Sequence, residues 1–493
     1  MIARITSLNS RVWALRRVMF IVPPLATAVA IVACGGYSGT GNTYAPVAAS
    51  GTSIVSVGAI TGFGSVHLNG LKFETTSATI NADGKAAQQS DLHAGEVIEV
   101  KGHHDAASGM DIADEIEFRG NVEGPVSTID TVAQTLVVLG QTFVFSADTS
   151  FDSSISPASL TGIAVGDILE VSGMPAADGT LHATRIEKKP VGTTFHVIGP
   201  AAATDTTAKT LRINALVVNF SAATLIDFPS TSPTDGDLVE VNGTSLDAAG
   251  ALQATRVELR TGKELKADAD GQMSVEGLIT RFASATDFDV AGRPVTTSSS
   301  TTFEGGTVGN LALNIQVEAE GSVNASGVLS ATKVQIGHPA DDRITGQVVS
   351  VDATAGTAVV MGIQVSVDAM TRFEDHSSQN IETFSLSDVH SGDWLQIRAA
   401  PPGSSNSLKA TRVDRLQPQS NVVLTGAVAT AAQPNFTILS TAVATTSATQ
   451  FASGLTTTTF FTSPVGKIVS VKGSWNGIVL TADQVQMGED NED

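Results

Sequence analysis

The 493-residue chain carries 49 Asp and Glu against 28 Lys and Arg, a formal charge of −21, with one cysteine, 46 glycines and only 5% aromatic residues. Nucleic-acid affinity is supplied mainly by Lys and Arg neutralising phosphates, so an acidity of this size disfavours nucleic-acid partners. A lone cysteine excludes an internal disulfide, and the dominance of Gly, Ala, Ser, Thr and Val over long helix formers points to β structure held by packing alone.

The chain opens with a basic segment containing Arg4, Arg11, Arg16 and Arg17. An apolar stretch follows from Val18 to Ala33, broken by Pro23-Pro24, and ends at Ile31-Val32-Ala33-Cys34. Basic, then apolar, then small residues is the order of an export signal. A transmembrane helix needs about 20 apolar residues in a row, and this run is shorter. Residues 1–33 resemble a bacterial lipoprotein signal peptide. The resemblance implies that Cys34 is acylated and becomes the first residue of the mature chain. No aspartate follows it, so inner-membrane retention is not signalled. The expected address is the bacterial cell envelope, as an outer-membrane lipoprotein facing the periplasm or the cell surface, with the membrane as partner through the lipid. A plain secretory signal with an incidental Cys34 is the alternative. Removal of residues 1–33 takes away four arginines and no acid, which leaves a charge of about −25. Residues 34–52, rich in Gly, Ser, Thr and Ala, have no periodicity and read as a flexible tether.

Beyond the tether a two-part phrase recurs. Its first half is a glycine followed by alternating apolar residues, as in Gly95-Glu96-Val97-Ile98-Glu99-Val100-Lys101-Gly102, Gly166-Asp167-Ile168-Leu169-Glu170-Val171-Ser172-Gly173 and Gly236-Asp237-Leu238-Val239-Glu240-Val241-Asn242-Gly243. Its second half reads Leu181-His182-Ala183-Thr184-Arg185-Ile186, and recurs from Leu252, Leu329, Leu408 and Leu480. The recurring alanine stands at 113, 183, 254, 331, 410 and 482, a period that marks six modules. Their expected bounds are 53–119, 120–189, 190–260, 261–337, 338–417 and 418–488, with an acidic tail at 489–493. Thr-then-Phe elements recur at Thr149-Ser150-Phe151, Thr302-Phe303, Thr371-Arg372-Phe373 and Thr449-Gln450-Phe451. Six short strands per module would leave both edges of a flat sheet wet, and closure removes them. The spacing therefore predicts an all-β tandem array of about six small closed six-stranded β-barrels, OB-like or elongation-factor-like. The phrase pair resembles a tandem-repeat domain of unknown function found in bacterial envelope lipoproteins. That resemblance implies a repeat and a compartment, and no catalytic residue.

Chemistry-bearing patterns are sparse. His103-His104-Asp105, with Asp111 and Asp114 nearby, is the densest metal candidate, but adjacent histidines on a strand face opposite ways. Asp235-Gly236-Asp237, Asp341-Asp342 and Asp375 are candidate calcium turns without the spacing of a calcium loop. Nucleophile elbows, zinc-protease and phosphate-loop motifs are missing from the sequence. Trp475, expected in a hairpin turn, is the candidate partner contact. The sequence thus favours a non-catalytic, lipid-anchored scaffold or binding surface for protein or glycan partners, with no cofactor besides the lipid on Cys34. The rival readings are a hydrolase or metal-dependent enzyme built on inserts of modules 4 and 5, where Asp341-Asp342-Arg343 and Glu374-Asp375-His376 gather charge, and a calcium-stabilised surface adhesin.

Overall fold

The computed structural model describes residues 51–487 except 64, 147, 193, 262–266, 269–270, 338–341, 369–370, 382, 401–407 and 453–454. The signal peptide, Cys34, most of the tether, Asp341 and the acidic tail lie outside the described residues. Among the described residues no helix is long and apolar enough to cross a membrane.

The repeated phrase builds the same hairpin each time. In module 2 its halves are the strands Ile168–Pro175 and Leu181–Lys189, which pair antiparallel. Leu169 and Val171 point into an apolar core while Glu170 points to the other face, the period-two consequence of a pleated strand. The glycines have two separate duties. Gly166, at φ +94°, takes the turn that feeds the strand, a left-handed conformation open to glycine at little cost. Asn314 takes it in module 4, at φ +64°. Gly173 sits at a β-bulge, where a Cβ would meet the carbonyl oxygen of His182 at 2.6 Å. The Thr of the Thr-then-Phe element closes the unit. Its hydroxyl donates to the carbonyl of the recurring alanine in four modules: Thr149 to Ala183 at 2.8 Å, Thr301 to Ala331 at 2.7 Å, Thr371 to Ala410 at 2.9 Å and Thr449 to Ala482 at 2.7 Å. In module 4 the structural equivalent is Thr301, one residue before the Thr302 expected from the pattern.

The expectation of closed barrels is corrected. The protein is all-β, with 56% strand and 4% helix, but its sheets are arranged as a β-solenoid of about 11 turns and not as closed barrels. The sheets run on from one module into another. Strand Val122–Asp130 gives its first half to Ile168–Pro175 on one side and to Phe195–Pro200 of module 3 on the other. Strand Asp342–Asp352 joins Val422–Ala432 of module 6 in the same way, with Ile344 opposite Leu424. Strand Ser53–Ala59 of module 1 pairs in parallel with Gln272–Ser284 of module 4, Val55 opposite Met273. Among the described residues three sheets of 13, 13 and 12 strands result, each spanning two modules. The strand edges that closure was expected to hide are hydrogen-bonded to another module instead, so their backbone groups are satisfied. The apolar cores follow the same partnership: modules 2 and 3 share one cluster, modules 5 and 6 share another, and Val55 and Val57 of module 1 pack into that of module 4.

Candidate functional site

The second half of the phrase places a cation and an acid two residues apart on a strand, hence on one face. Arg185 Nε donates to Glu187 Oε1 at 2.7 Å, Arg412 Nε to Asp414 Oδ1 at 2.8 Å, and Arg256 pairs with Glu258 in the same way. The Arg185 and Arg412 faces do not look at solvent and meet where modules 1, 2 and 5 converge, whereas Arg256 of module 3 is partly exposed.

On the side of modules 1 and 2, Arg185 donates to the Ala94 carbonyl at 3.2 Å, and His93 Nδ1 lies 3.2 Å from Glu96 and 3.1 Å from Glu187. Burial pushes the Glu187 carboxyl up, but Arg185, His93 and Lys189 overcome it and hold the group at about 2. The hydrogen bond to Glu96 raises His93. On the side of module 5, Arg372 donates to the Asp148 carbonyl at 2.6 Å and Arg412 to the Thr149 carbonyl at 2.8 Å. Arg412 also bridges to Glu374 at 3.0 Å, and His376 Nε2 lies 3.1 Å from the same carboxyl oxygen. Burial disfavours the charged form of Glu374, yet Arg412, His376 and Arg185 carry it well below the carboxylate range.

Among the described residues two clusters have metal-ligating composition: His93, Glu96 and Glu187, and Glu374, His376 and Asp414, each with its ligand atoms within 4.8 Å of one another. In the first, Arg185 already bonds Glu187, in the second, Arg412 bonds both Glu374 and Asp414, and arginine does not give up its proton. The residues fit an ion-pair network better than a cation site.

The structure separates several residues that the sequence grouped. His103 and His104 turn to opposite faces, His103 to Asp114 at 3.0 Å and His104 to Asp111 at 2.9 Å, while Asp105 accepts from Ser108 Oγ at 2.6 Å and caps its own turn. Asp235 accepts from the Thr204 amide and Asp237 from that of Thr234, so these turn carboxylates diverge. Glu374-Asp375-His376 splits: Glu374 and His376 join Arg412, whereas Asp375 is bound by Arg415, whose guanidinium lies 4.6 Å from the centre of the Phe384 ring. Trp475 ends strand Ile468–Trp475 opposite Leu480, half-buried against the core shared by modules 5 and 6.

Beside this centre lies a cleft of about 960 Å³ between residues 131–161 of module 2 and the sheet shared by modules 5 and 6. Arg343 and His376, which the sequence marked in separate charged segments, both line it, as do Gln396, Arg398 and Lys472. The last three were missed. Their signal was a departure from the phrase: modules 1–4 carry Glu at the outward position of the first half (Glu99, Glu170, Glu240, Glu318), and module 5 carries Gln396.

Repeated hairpins, shared sheets and polar contacts between modules define a tandem-repeat β protein whose recurring residues serve conformation and packing. The chain belongs to the family described as domain of unknown function DUF5666, which matches it six times, over residues 56–117, 123–187, 199–258, 276–335, 345–414 and 425–486. No curated protein matches the chain.

Proposed function

We propose that the protein is a non-catalytic binding or scaffold protein of a bacterial cell envelope, tethered through a lipid on Cys34 to the outer membrane and facing the periplasm or the cell surface. The supporting observation is the fate of its reactive side chains. In the two clusters where a histidine meets two carboxylates among the described residues, these groups are bound to one another and to an arginine, and each cluster reaches across a module boundary, His93 of module 1 to Glu187 of module 2 and Arg412 of module 5 to the Thr149 carbonyl of module 2. Such groups hold modules together and are not poised as nucleophile and base. The six copies of one domain support the same reading, since a stacked array offers an extended surface for a protein or glycan. The test has two parts. Cys34→Ser should abolish incorporation of labelled fatty acid and release the protein from membranes. Crosslinking of the wild-type protein in intact envelopes should capture a specific partner that the released variant loses. Labelling unchanged by Cys34→Ser removes the anchor, and turnover of a substrate with loss on His376→Ala would replace the binding reading by the enzymatic one.

A further inference from the structure

The cleft beside module 5 is lined by charges that the fold has already used and by uncharged polar groups that it has not. Asp152 is paired with Arg185 at 3.7 Å and Asp414 with Arg412 at 2.8 Å, and His376 lies 3.1 Å from Glu374. Arg343 is 2% exposed and donates to Gln396 at 3.0 Å, and Arg398 is engaged as well. Lys472 is left as the charged lining group without a partner among the described residues. The amides and hydroxyls differ. Asn380 follows strand Arg372–Asp375, and Gln419, Ser420 and Asn421 lie on the connection from strand Leu408–Leu416 to strand Val422–Ala432. Ser153 faces them from module 2. Ser153, Asn380 and Ser420 are exposed and Asn421 is half-buried, and none of these four side chains has a hydrogen-bond partner among the described residues. Gln419 uses its amide nitrogen on the Gln417 carbonyl at 2.9 Å and keeps its side-chain oxygen free. Phe151, half-buried and stacked on Phe145 with ring centroids 6.1 Å apart, adds an apolar surface to the same lining.

We propose that this cleft binds a short uncharged oligosaccharide, its hydroxyls bonded by Asn380, Gln419 and Asn421 on one wall and by Ser153 and Ser420, with one sugar ring packed against Phe151. The inference rests on the binding reading above and names the ligand class. Amide and hydroxyl side chains both donate and accept, as the hydroxyls of a sugar do, and an aromatic surface beside them gives the apolar face of a sugar ring a place to pack. A polyanion would meet one free cation in a chain of net charge −21, so charge works against it. A peptide draws its affinity from strand edges and side-chain pockets, whereas the free groups here are side-chain amides and hydroxyls. The cleft, at about 960 Å³, lies near the upper end of the range for ligand pockets and admits several sugar rings.

The experiment is calorimetric titration of the full chain, in a detergent without a sugar headgroup, with cellohexaose, maltohexaose, the hexamer of N-acetylglucosamine, oligogalacturonate and an uncharged Ser- and Asn-rich peptide. The expected result is saturable binding of at least one of the three neutral saccharides, tighter than oligogalacturonate and unchanged between low and high salt, because no ionic contact contributes to it. Asn421→Leu, which removes the amide and keeps a similar volume, should weaken binding at least tenfold. Ser420→Trp, which fills the cleft from an exposed position, should do the same with the melting temperature unchanged, and Lys472→Gln should leave the affinity as it is. No binding of any neutral saccharide, tighter binding of oligogalacturonate or of the peptide, an affinity that falls tenfold with salt, or wild-type affinity in a folded Ser420→Trp variant would each overturn the proposal. A protein that keeps its envelope partner while failing these titrations would sink this inference alone.

Discussion

Arg412→Met is the sharpest probe of what joins module 5 to module 2. The guanidinium serves three acceptors at once: Asp414 at 2.8 Å, Glu374 at 3.0 Å and the Thr149 carbonyl at 2.8 Å. All three side chains are buried, with at most 9% of each exposed. Methionine keeps much of the volume but leaves two carboxylates without their cation, and breaking a buried pair in this way costs about 3–5 kcal/mol. For a cooperative unit the size of modules 5 and 6 that lowers the melting temperature by roughly 2–4 °C per kcal/mol, or about 10 °C in all. The pH dependence has a definite sign. Glu374 is held below its ordinary value, so its contribution is present above the ordinary carboxylate range and is lost as pH falls through the depressed one. Removing Arg412 moves that acid limb to higher pH. Differential scanning calorimetry between pH 3 and 8 reads both effects. Adding Glu374→Gln and Asp414→Asn to Arg412→Met should restore most of the loss, because no buried charge is then left unpaired. A loss below about 1 kcal/mol, or no restoration in the triple variant, refutes the network, since exposed pairs are worth no more than that.

Three further outcomes follow from the same geometry. Burial, and then the neighbouring Glu320, push Glu318 well above the carboxylate range, and its Oε2 has no hydrogen-bond partner. A carboxyl raised on folding contributes stability that is present below its unfolded value and lost as pH rises through the folded one, so Glu318→Gln should raise the melting temperature at pH 8 and leave it nearly unchanged at pH 4. Gly473→Ala places a Cβ 2.0 Å from the Thr481 carbonyl oxygen at a bulge; urea titration should register a loss of about 1–3 kcal/mol, the range for overpacking, whereas Gly250→Ala, with open space around it, should show only the smaller strain of its positive φ. If the two His-carboxylate clusters are ion-pair networks, neither EDTA nor zinc should shift the melting temperature of the wild-type protein, and a zinc-dependent rise would assign them to a metal.

The β class and the six-fold phrase were legible because they depend on contacts within about 20 residues. Alternation in Leu169-Glu170-Val171 reports a strand with one face buried, and the glycines at 166 and 173 mark a turn and a bulge. Closure was inferred by asking how a strand edge is covered, and the sequence supplied only one candidate cover, the module's own strands. The partner used by Val122–Asp130 is Phe195–Pro200, in the next module. For Ser53–Ala59 it is Gln272–Ser284, two modules further away. Nothing local distinguishes Val55 opposite Met273 from any other apolar pairing. The cleft was hidden for the same reason, since Arg343, His376, Arg398 and Lys472 converge only after two modules share a sheet and a third packs over it. His103-His104 misled in the opposite direction: adjacency in sequence looked like convergence, and the pleat sent the two rings apart.

The acidity itself acquires a different meaning in the folded chain. Glu170, Glu240 and Glu318 occupy the outward position of the repeated strand, yet each is at most 5% exposed because another part of the array lies over it. Lys189 bridges Glu170 within module 2, while Arg119 of module 1 reaches Glu240 of module 3 at 2.9 Å and Arg293 of module 4 bonds Glu99 of module 1. Part of the negative charge that excluded nucleic acid at the level of composition is therefore consumed between modules. Pairing of this kind discriminates among otherwise similar apolar edges, because a misplaced module would bury an acid without its cation, at a cost of several kcal/mol. Modules 5 and 6 lack the acid at that position, with Gln396 and Ser470 in its place. Their shared sheet is released from this role in module contacts, which is why the face bearing Arg398 and Lys472 can border an open cleft where its counterpart in modules 2 and 3 is spent on holding the array together.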